Sequence, residues 1–162
     1  AHLALSFAER GVLPIQLRFA PSVHGTGGDH GFIAYIAGAA RANGVSPYIG
    51  DGSNRWAAVH RDDAAHLVRL AIESPTTATV VHAVTEEGIP TKEIAEAIGA
   101  RLGVPVTSIG EEEAAAHFDW MARFFGADLA ASSALTRERF GWEPAGPTLV
   151  EDIAAGGYDP LT

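Results

Sequence analysis

The spacing of apolar residues predicts four helices in the first two thirds of the chain. In each of them, apolar side chains return every three or four positions and so share one helical face. The predicted helices cover residues 1–10, 32–42, 62–73 and 91–102. Gly11 and Gly103 directly follow two of these segments, and Asn43-Gly44 closes a third; glycine is the residue that most readily ends a helix.

Shorter segments, rich in β-branched residues or alternating between apolar and polar ones, separate the helices and predict strands. These strands cover residues 15–19, 46–49, 56–60, 79–84 and 105–109. The turn residues at 50–54 indicate that the strands on either side of them form a hairpin. Residues 21–31, where turn-forming residues cluster, are predicted to be a loop.

The last third of the chain has a helical but interrupted pattern. Three glutamates at 111–113 stand where the start of a helix favours negative charge. Thr148 and Glu151 have the spacing of a capping box at another helix start. The aromatic residues at 118, 120, 124 and 125 also have helical spacing. They could be ordinary core, a docking face, or the wall of an apolar pocket.

The alternation of strands and helices predicts an α/β fold with some parallel strand pairing. We expect a single domain that covers residues 1–162. The sequence passes directly from its first helix into the strand at 15–19, as the middle of a doubly wound fold does. We therefore expect further strands of that sheet upstream, and an unpaired backbone edge along residues 15–19.

Composition narrows the function classes. The chain has 20 acidic and 11 basic residues, a net charge of −9, which argues against a nucleic-acid partner. No apolar run approaches the ~18 residues of a membrane span, and the first ten residues do not have the pattern of a signal peptide. The sequence has no cysteine, which excludes disulfides and thiolate metal sites and fits the cytoplasm. We expect a cytoplasmic protein without a membrane partner.

Three segments resemble the extended and atypical short-chain dehydrogenase/reductase family, which includes NAD-dependent epimerases and dehydratases. RFAPSVHG at 18–25 is similar to the family's last core strand and the loop that touches the nicotinamide. GDGSNRW at 50–56, which leads into VHRDDAA at 59–65, is similar to its glycine turn and following helix start. FGWEP at 140–144 resembles a late turn of the family. The resemblance implies a partial Rossmann-type sheet with a small mixed α/β substrate lobe.

Two motifs of that family are missing from this chain. The glycine-rich fingerprint, whose glycines let the backbone approach a pyrophosphate, has no counterpart, because the glycines at 25–28 follow a late strand. The catalytic Tyr-x-x-x-Lys is also missing, since Lys92 is the only lysine and no tyrosine precedes it by four positions. The resemblance is thus to the carboxy-terminal half of such an enzyme. His24 stands where sugar-acting members commonly have tyrosine, which puts a nucleotide-sugar substrate in doubt.

The resemblance implies a cofactor-binding role for one short segment. Pro21, Ser22, Val23 and His24 would lie beside the nicotinamide ring and contact it through their backbone. The carboxyl end of a strand in an open sheet is where ligands bind. The alternative is a plain turn at the end of a strand.

Arg55 and Trp56 are the candidate substrate-binding residues. A guanidinium matches a phosphate or carboxylate group, and the resemblance implies a contact between Arg55 and the substrate's diphosphate. A salt bridge to Asp51 or Asp62 is an equal alternative for Arg55. Trp56 would be either an apolar wall of the substrate site or a core residue.

Acidic and histidine side chains near residue 60 have simpler explanations than catalysis. Asp62 or Asp63 is expected to cap the helix that follows. His60 is expected to be a hydrogen-bonded structural histidine. We expect no metal. The group His60, Asp62, Asp63 and His66 contains pairs three and four positions apart, and His24 and His30 are six apart, but nothing supplies a third ligand to either set.

The sequence therefore predicts the substrate-side part of an NAD- or NADP-dependent oxidoreductase or epimerase. Its substrate would be a small molecule with a hydroxyl or carbonyl group, and the chain alone would lack redox activity and possess no complete cofactor site. Two alternatives remain open. One is a non-enzymatic fragment that binds a partner or forms a homo-oligomer through its exposed sheet edge. The other is a metal- or carboxylate-dependent enzyme with a separate activity.

Overall fold

The computed structural model describes residues 2–27, 30–74 and 79–159. Its strands are β1 (Ile15–Phe19), β2 (Ser22–His24), β3 (Ser46–Ile49), β4 (Arg55–His60), β5 (Thr79–Ala83), β6 (Glu86–Pro90) and β7 (Val106–Ile109). Its helices are α1 (His2–Ser6), α2 (Phe32–Asn43), α3 (Arg61–Glu73), α4 (Thr91–Leu102), α5 (Glu111–Phe118), α6 (Ala122–Phe125), α7 (Ala134–Phe140) and α8 (Leu149–Ala154), with 3-10 turns at Phe7–Arg10 and Asp119–Met121.

The strands form three small sheets. β1 pairs with β5, and β3 pairs with β7, both in parallel. β4 lies between β2, its parallel partner, and β6, its antiparallel partner. Parallel pairs joined through helices are typical of α/β proteins, so the predicted fold class is confirmed.

β4 is the wall between two hydrophobic cores. Trp56 and Ala58 pack into the larger core, which α2, α4 and the 111–125 segment complete. Ala57 and Val59, on the opposite face, pack into the smaller core beside β1, β5 and α3. Because successive side chains of a strand point to opposite faces, this one strand contributes side chains to both cores.

The glycine stops predicted for three helical segments are confirmed. Gly11, Gly44 and Gly103 all have the left-handed conformation, with φ of 78°, 67° and 68°. In each, the backbone N–H bonds back to a carbonyl of the preceding helical turn or helix. The capping box at Thr148 and Glu151 is confirmed as well, at the start of α8.

The predicted hairpin between residues 46–49 and 56–60 is wrong. β3 pairs with β7, and β4 pairs with β2 and β6. The reason lies at the end of the turn, where Asn54 Nδ2 donates to the carbonyls of Phe125 and Ala127 at 2.8 and 3.2 Å. These bonds anchor the start of β4 to the helical segment instead of to β3.

The sequence pattern also missed two strands. β2 lies inside the predicted loop at 21–31, whose residues 28 and 29 are outside the described residues. It is only three residues long, and its backbone bonds depend on β4, which lies more than thirty residues further along the chain. β6 reads EEGIP and has no apolar alternation, so its pairing with β4 leaves little trace in sequence.

Candidate functional site

The three segments that carry the family resemblance meet around the carboxyl end of β4. β2 lies beside it in parallel register, with His24 opposite His60. Asp63, two residues into the helix that follows β4, contacts the loop after Trp142. Segments more than eighty residues apart in sequence therefore lie side by side in the folded chain.

The segment from Pro21 to His24 joins two sheets. Ala20 N–H still donates to Ala83 O, which extends the β1–β5 pairing by one residue. Proline then interrupts the ladder, since it has no N–H to donate, and the chain enters the second sheet as β2. Ser22 and His24 are buried, whereas the intervening Val23 is 38% exposed. Of the three β2 side chains, that of Val23 is the one available to a ligand.

His24 is the centre of a buried polar cluster. Its Nδ1 lies 2.6 Å from Asp152 Oδ2, the distance of a short charge-assisted hydrogen bond. Its Nε2 lies 3.7 Å from Glu86 Oε2, too far for a hydrogen bond but close enough for attraction between charges. Within the described residues, neither His24 Nε2 nor Ser22 Oγ has a hydrogen-bond partner. Both belong to side chains on the inner face of β2.

His60 completes this cluster from β4. Its Nδ1 accepts a hydrogen bond from the N–H of Asp62 at 3.3 Å, and the residue caps α3. Its Nε2 lies 3.8 Å from Asp152 Oδ2, and its ring meets that of His24 edge-on at 5.5 Å. One carboxylate, Asp152, thus faces two histidines from neighbouring strands, and the structural role expected for His60 fits these contacts.

The pKa of His24 reflects these neighbours. Burial by itself lowers this pKa, but the carboxylates of Glu86 and Asp152 raise it above the ordinary value of 6.5. A histidine whose pKa rises on folding stabilises the fold fully below its unfolded pKa, and that contribution is lost as the pH rises through the folded pKa. We therefore expect the free energy of unfolding to fall as the pH is raised from 6.5.

Urea unfolding across roughly pH 6–9 measures this dependence. His24→Asn should flatten the decline, because it removes the titrating group. His66→Asn, which changes an exposed histidine of α3, should preserve the decline and serves as the control. A decline of unchanged slope in His24→Asn would show that the cluster does not cause it.

Asp63 does not cap α3, and neither does Asp62, so that prediction is wrong. The cap is His60, and both aspartates lie inside the first helical turn. Asp63 instead turns its buried carboxylate to another loop, where it accepts from the N–H groups of Ala145 and Gly146, both at 3.0 Å. A Cβ on Gly146 would lie 2.8 Å from both Asp63 Oδ2 and His60 Cβ, so the close approach requires glycine.

Arg55 pairs with Asp128, and not with the two aspartates considered from sequence. Its Nε and Nη2 donate to the two carboxylate oxygens at 3.1 and 2.8 Å, and its backbone N–H donates to the same group. The pairing raises the pKa of Arg55 and lowers that of Asp128. The side chains are about half exposed, at 53% and 50%. An anionic ligand would have to compete with Asp128 for the guanidinium.

Trp56 lies in the larger core and is fully buried. Its Nε1 donates to Phe124 O at 3.1 Å, and its ring packs against those of Phe32 and Phe125. A ligand would therefore reach Trp56 only through its neighbours. Phe32, one of these neighbours, also packs against Phe124, with ring centroids 5.8 Å apart.

Asp152 and Glu86 belong to the cluster although no sequence motif pointed to them. Asp152 lies on α8 between the buried residues Leu149 and Ile153. An acidic residue on the apolar face of a helix is a detectable signal, because burying an unpaired carboxylate is costly. Glu86 Oε2 also accepts a hydrogen bond from the N–H of Leu149 at 2.9 Å. No local sequence pattern predicts this long-range contact.

The described residues include no group of three or more histidine, aspartate or glutamate side chains arranged to hold a metal ion. His24 is buried and His30 is exposed. None of the helices in the described parts of the chain is long and apolar enough to cross a bilayer.

No protein-family model matches the chain. An uncharacterized protein of Schizosaccharomyces pombe is 49% identical over 154 residues, which are 95% of this chain and 52% of the relative. An uncharacterized protein of Saccharomyces cerevisiae is 45% identical over 153 residues, which are 94% of this chain and 51% of the relative. The chain thus spans about half the length of the curated relatives it matches.

Solved structures with a similar fold include nucleotide-sugar enzymes. The dTDP-glucose 4,6-dehydratase of Streptomyces venezuelae, solved with NAD and TYD bound, has a TM-score of 0.71 at 16% identity, over 96% of this chain and 46% of that one. The UDP-N-acetylglucosamine 4-epimerase of Bacillus cereus has a TM-score of 0.68 at 15% identity, over 99% of this chain and 52% of that one. The chain therefore has the Rossmann-like α/β fold of about half of an NAD-dependent epimerase or dehydratase.

Proposed function

We propose that this chain is the substrate-side part of an NAD- or NADP-dependent oxidoreductase or epimerase. Its substrate is a small molecule with a hydroxyl or carbonyl group, to or from which the nicotinamide would transfer hydride. The observation that carries the proposal is the overlap in fold, over 96% of this chain, with a dehydratase solved with NAD bound.

In this proposal, the segment from Pro21 to His24 forms the nicotinamide edge. Val23 is its exposed side chain, and the buried Ser22 and His24 on either side hold the backbone in place. The Asp152 carboxylate, through its 2.6 Å contact with His24, fixes this strand against α8. A rigid edge of this kind orients a ring without itself donating or accepting the reacting hydrogen.

Two strand-to-helix junctions do not fit the pyrophosphate of a dinucleotide. Asp62 and Asp63 lie in the first turn of α3, and Glu93 lies in the first turn of α4. Carboxylates at a helix N-terminus disfavour a bound phosphate, which such helices otherwise attract. The proposal assigns the pyrophosphate to the half of the relatives that this chain does not match.

The unpaired edge of β1 supports the proposal that further strands of the parent enzyme pair with this chain. β1 pairs with β5 along one side, and no other described strand pairs with it. Phe19 at its end is 50% exposed, and Val12 and Leu13 just before it are 49% and 54% exposed. An unpaired edge bordered by apolar side chains favours the addition of another strand. A second copy of this chain is the competing occupant.

A chimera tests the proposal. This chain replaces the matched segment of the Schizosaccharomyces pombe relative, and NADH and NADPH are titrated by nicotinamide fluorescence. We expect the chimera to bind one of them, and Val23→Asp to weaken binding by about tenfold through charge and lost contact at the ring edge. Ile72→Asp, at a position that is 66% exposed on α3, is the matched control and should leave binding unchanged.

Three results would contradict the proposal. A folded chimera that binds neither cofactor would overturn it. So would equal effects of the two aspartate variants. Tight, saturable binding by this chain alone would show that it holds the dinucleotide itself. The alternative is a fragment that self-associates through the β1 edge, and light scattering on the chain alone tests it. A dimer that the substitution Phe19→Lys dissociates would favour this alternative.

A further inference from the structure

We propose that the buried polar cluster around His24 is a pH-sensitive latch. It holds the nicotinamide edge against α8 while His24 is protonated, and it loosens this edge when His24 is neutral. The side chains of the latch are His24, His60, Glu86 and Asp152. The inference rests on the proposed function, because the segment that the latch holds is the proposed nicotinamide edge.

β2 has few attachments besides the latch. It is three residues long and, among the described strands, pairs with β4 alone. On the side of α8, the Asp152 carboxylate bonds to His24 at 2.6 Å, and the Asp152 carbonyl accepts from the N–H of Gly157 at 3.0 Å. A Cβ on Gly157 would lie 3.6 Å from Thr26 Cα, so the segment after α8 packs on the loop after β2. Asp152 therefore connects α8 to β2 through its side chain and to the next loop through its backbone.

The protonation of His24 sets the net charge of the latch. A protonated ring places one positive charge between Asp152, 2.6 Å from Nδ1, and Glu86, 3.7 Å from Nε2. His60 adds no charge in this geometry, because its Nδ1 accepts a hydrogen bond from the N–H of Asp62 and so carries no proton. A neutral His24 that still donates from Nδ1 presents the lone pair of its Nε2 to the Glu86 carboxylate. Two carboxylates then meet in the latch without a cation, and their repulsion loosens it.

No other cation replaces protonated His24 within the described residues. The two carboxylates of the latch form ion pairs there with histidines only. On α3, the Asp63 carboxylate accepts from the 145–146 backbone, Arg61 is 49% exposed and lies 4.0 Å from Asp62, and His66 is exposed. The remaining charged side chains of β6 and of the elements that pack against β2 are bonded or paired elsewhere: Arg41, Arg55, Arg69, Glu73, Glu87 and Glu151. The charge of the latch therefore follows the state of His24.

The pKa of His24 determines where the latch opens. Burial lowers this pKa, but Glu86 and Asp152 raise it by more, to a value above the ordinary 6.5. The latch is therefore closed at a pH below 6.5, and it opens as the pH rises through the pKa of the folded chain. A cofactor that contacts an ordered edge loses this preorganisation when the latch opens, and it then binds more weakly.

Spin-label distances between β2 and α8 test the latch on this chain without any cofactor. The sequence has no cysteine, so the substitutions Val23→Cys and Ala154→Cys place one label at an exposed position of each element. We expect a narrow distribution of the distance between the labels at roughly pH 6 and a broad one at roughly pH 9. The pair Ile72→Cys and Ala154→Cys, which joins α3 to α8, is the control for general loosening of the fold. Its distribution should stay narrow at both pH values.

Two variants of the labelled chain identify the group that titrates. His24→Asn removes the titrating ring, and the distance distribution should then no longer change with pH. Glu86→Gln removes one carboxylate but keeps an oxygen that can accept from the N–H of Leu149, so we expect less broadening at the higher pH. The inference is wrong if the distribution does not depend on pH, if either variant broadens as much as the labelled chain without it, or if the control pair broadens equally.

The chimera tests the consequence for the cofactor, and the two proposals fail separately. We expect the Kd of the cofactor that the chimera binds to rise by roughly five- to tenfold between roughly pH 6 and pH 9, and to stay constant in its His24→Asn variant. Labels that respond to pH, together with a chimera that binds no cofactor, would keep the latch and reject the oxidoreductase. A chimera that binds cofactor equally well at both pH values, with labels that do not respond, would keep the oxidoreductase and reject the latch. Labels that respond without a change in affinity would overturn the link between the latch and the nicotinamide edge.

Discussion

Asp152→Ala is expected to lower the free energy of unfolding by about 3–5 kcal/mol. Asp152 is 2% exposed and faces His24 at 2.6 Å and His60 at 3.8 Å. Its removal leaves the buried His24 with Glu86 alone, 3.7 Å away and not hydrogen-bonded. A buried charged or polar group that loses its partner keeps its full desolvation cost. Urea unfolding at neutral pH measures the loss.

Asp62→Ala is the matched control for this substitution. Asp62 also lies 3.8 Å from His60, but its side chain is 82% exposed, so solvent screens the interaction. We expect no measurable change in stability. The conservative variant Asp152→Asn keeps the side-chain volume and an acceptor oxygen, and it should cost less than alanine. If Asp152→Ala were no more damaging than Asp62→Ala, the cluster would not hold β2 against α8.

The contacts of the polar cluster could not be predicted from the sequence. His24 was singled out as part of the nicotinamide edge, from a local motif. Its principal partner, Asp152, lies 128 positions away, and no spacing rule connects two such residues. A hydrogen bond of this range becomes visible only when the fold brings β2 and α8 together.

Local structure was predicted where local physics decides it. Gly44 and Gly103 end their helices because glycine adopts the left-handed conformation at little cost. The strands at 15–19 and 79–84 were visible through their composition and spacing, and they pair in parallel. β2 and β6 were missed because their pairing with β4, and not their own residues, makes them strands.

Charged side chains were the least predictable group. Arg55 and Asp63 both have plausible partners nearby in sequence, yet they bind Asp128 and the 145–146 backbone. The positions of the two ends of β4 explain both pairings. The start of β4 is anchored to the 125–128 segment, and its end faces the loop after Trp142. A charged residue at a strand end takes the partner that the tertiary fold presents.

Trp142→Ala is the other substitution with a large expected effect, a loss of about 3–5 kcal/mol in the free energy of unfolding. Trp142 is 1% exposed within the smaller core. Its Nε1 donates to Asp63 O at 3.1 Å, and the guanidinium of Arg137 lies 5.6 Å from its ring. Alanine would leave a large cavity and remove the N–H that donates to Asp63 O.

Two further variants separate these contributions in the same urea experiment. Trp142→Phe keeps most of the ring but loses the N–H donor, so we expect a smaller loss, of about 1–2 kcal/mol. Trp120→Ala removes the same side chain from a position that is 52% exposed and should cost less than about 1 kcal/mol. Equal losses at Trp142 and Trp120 would contradict the prediction, because they would show that burial in the smaller core does not set the size of the loss.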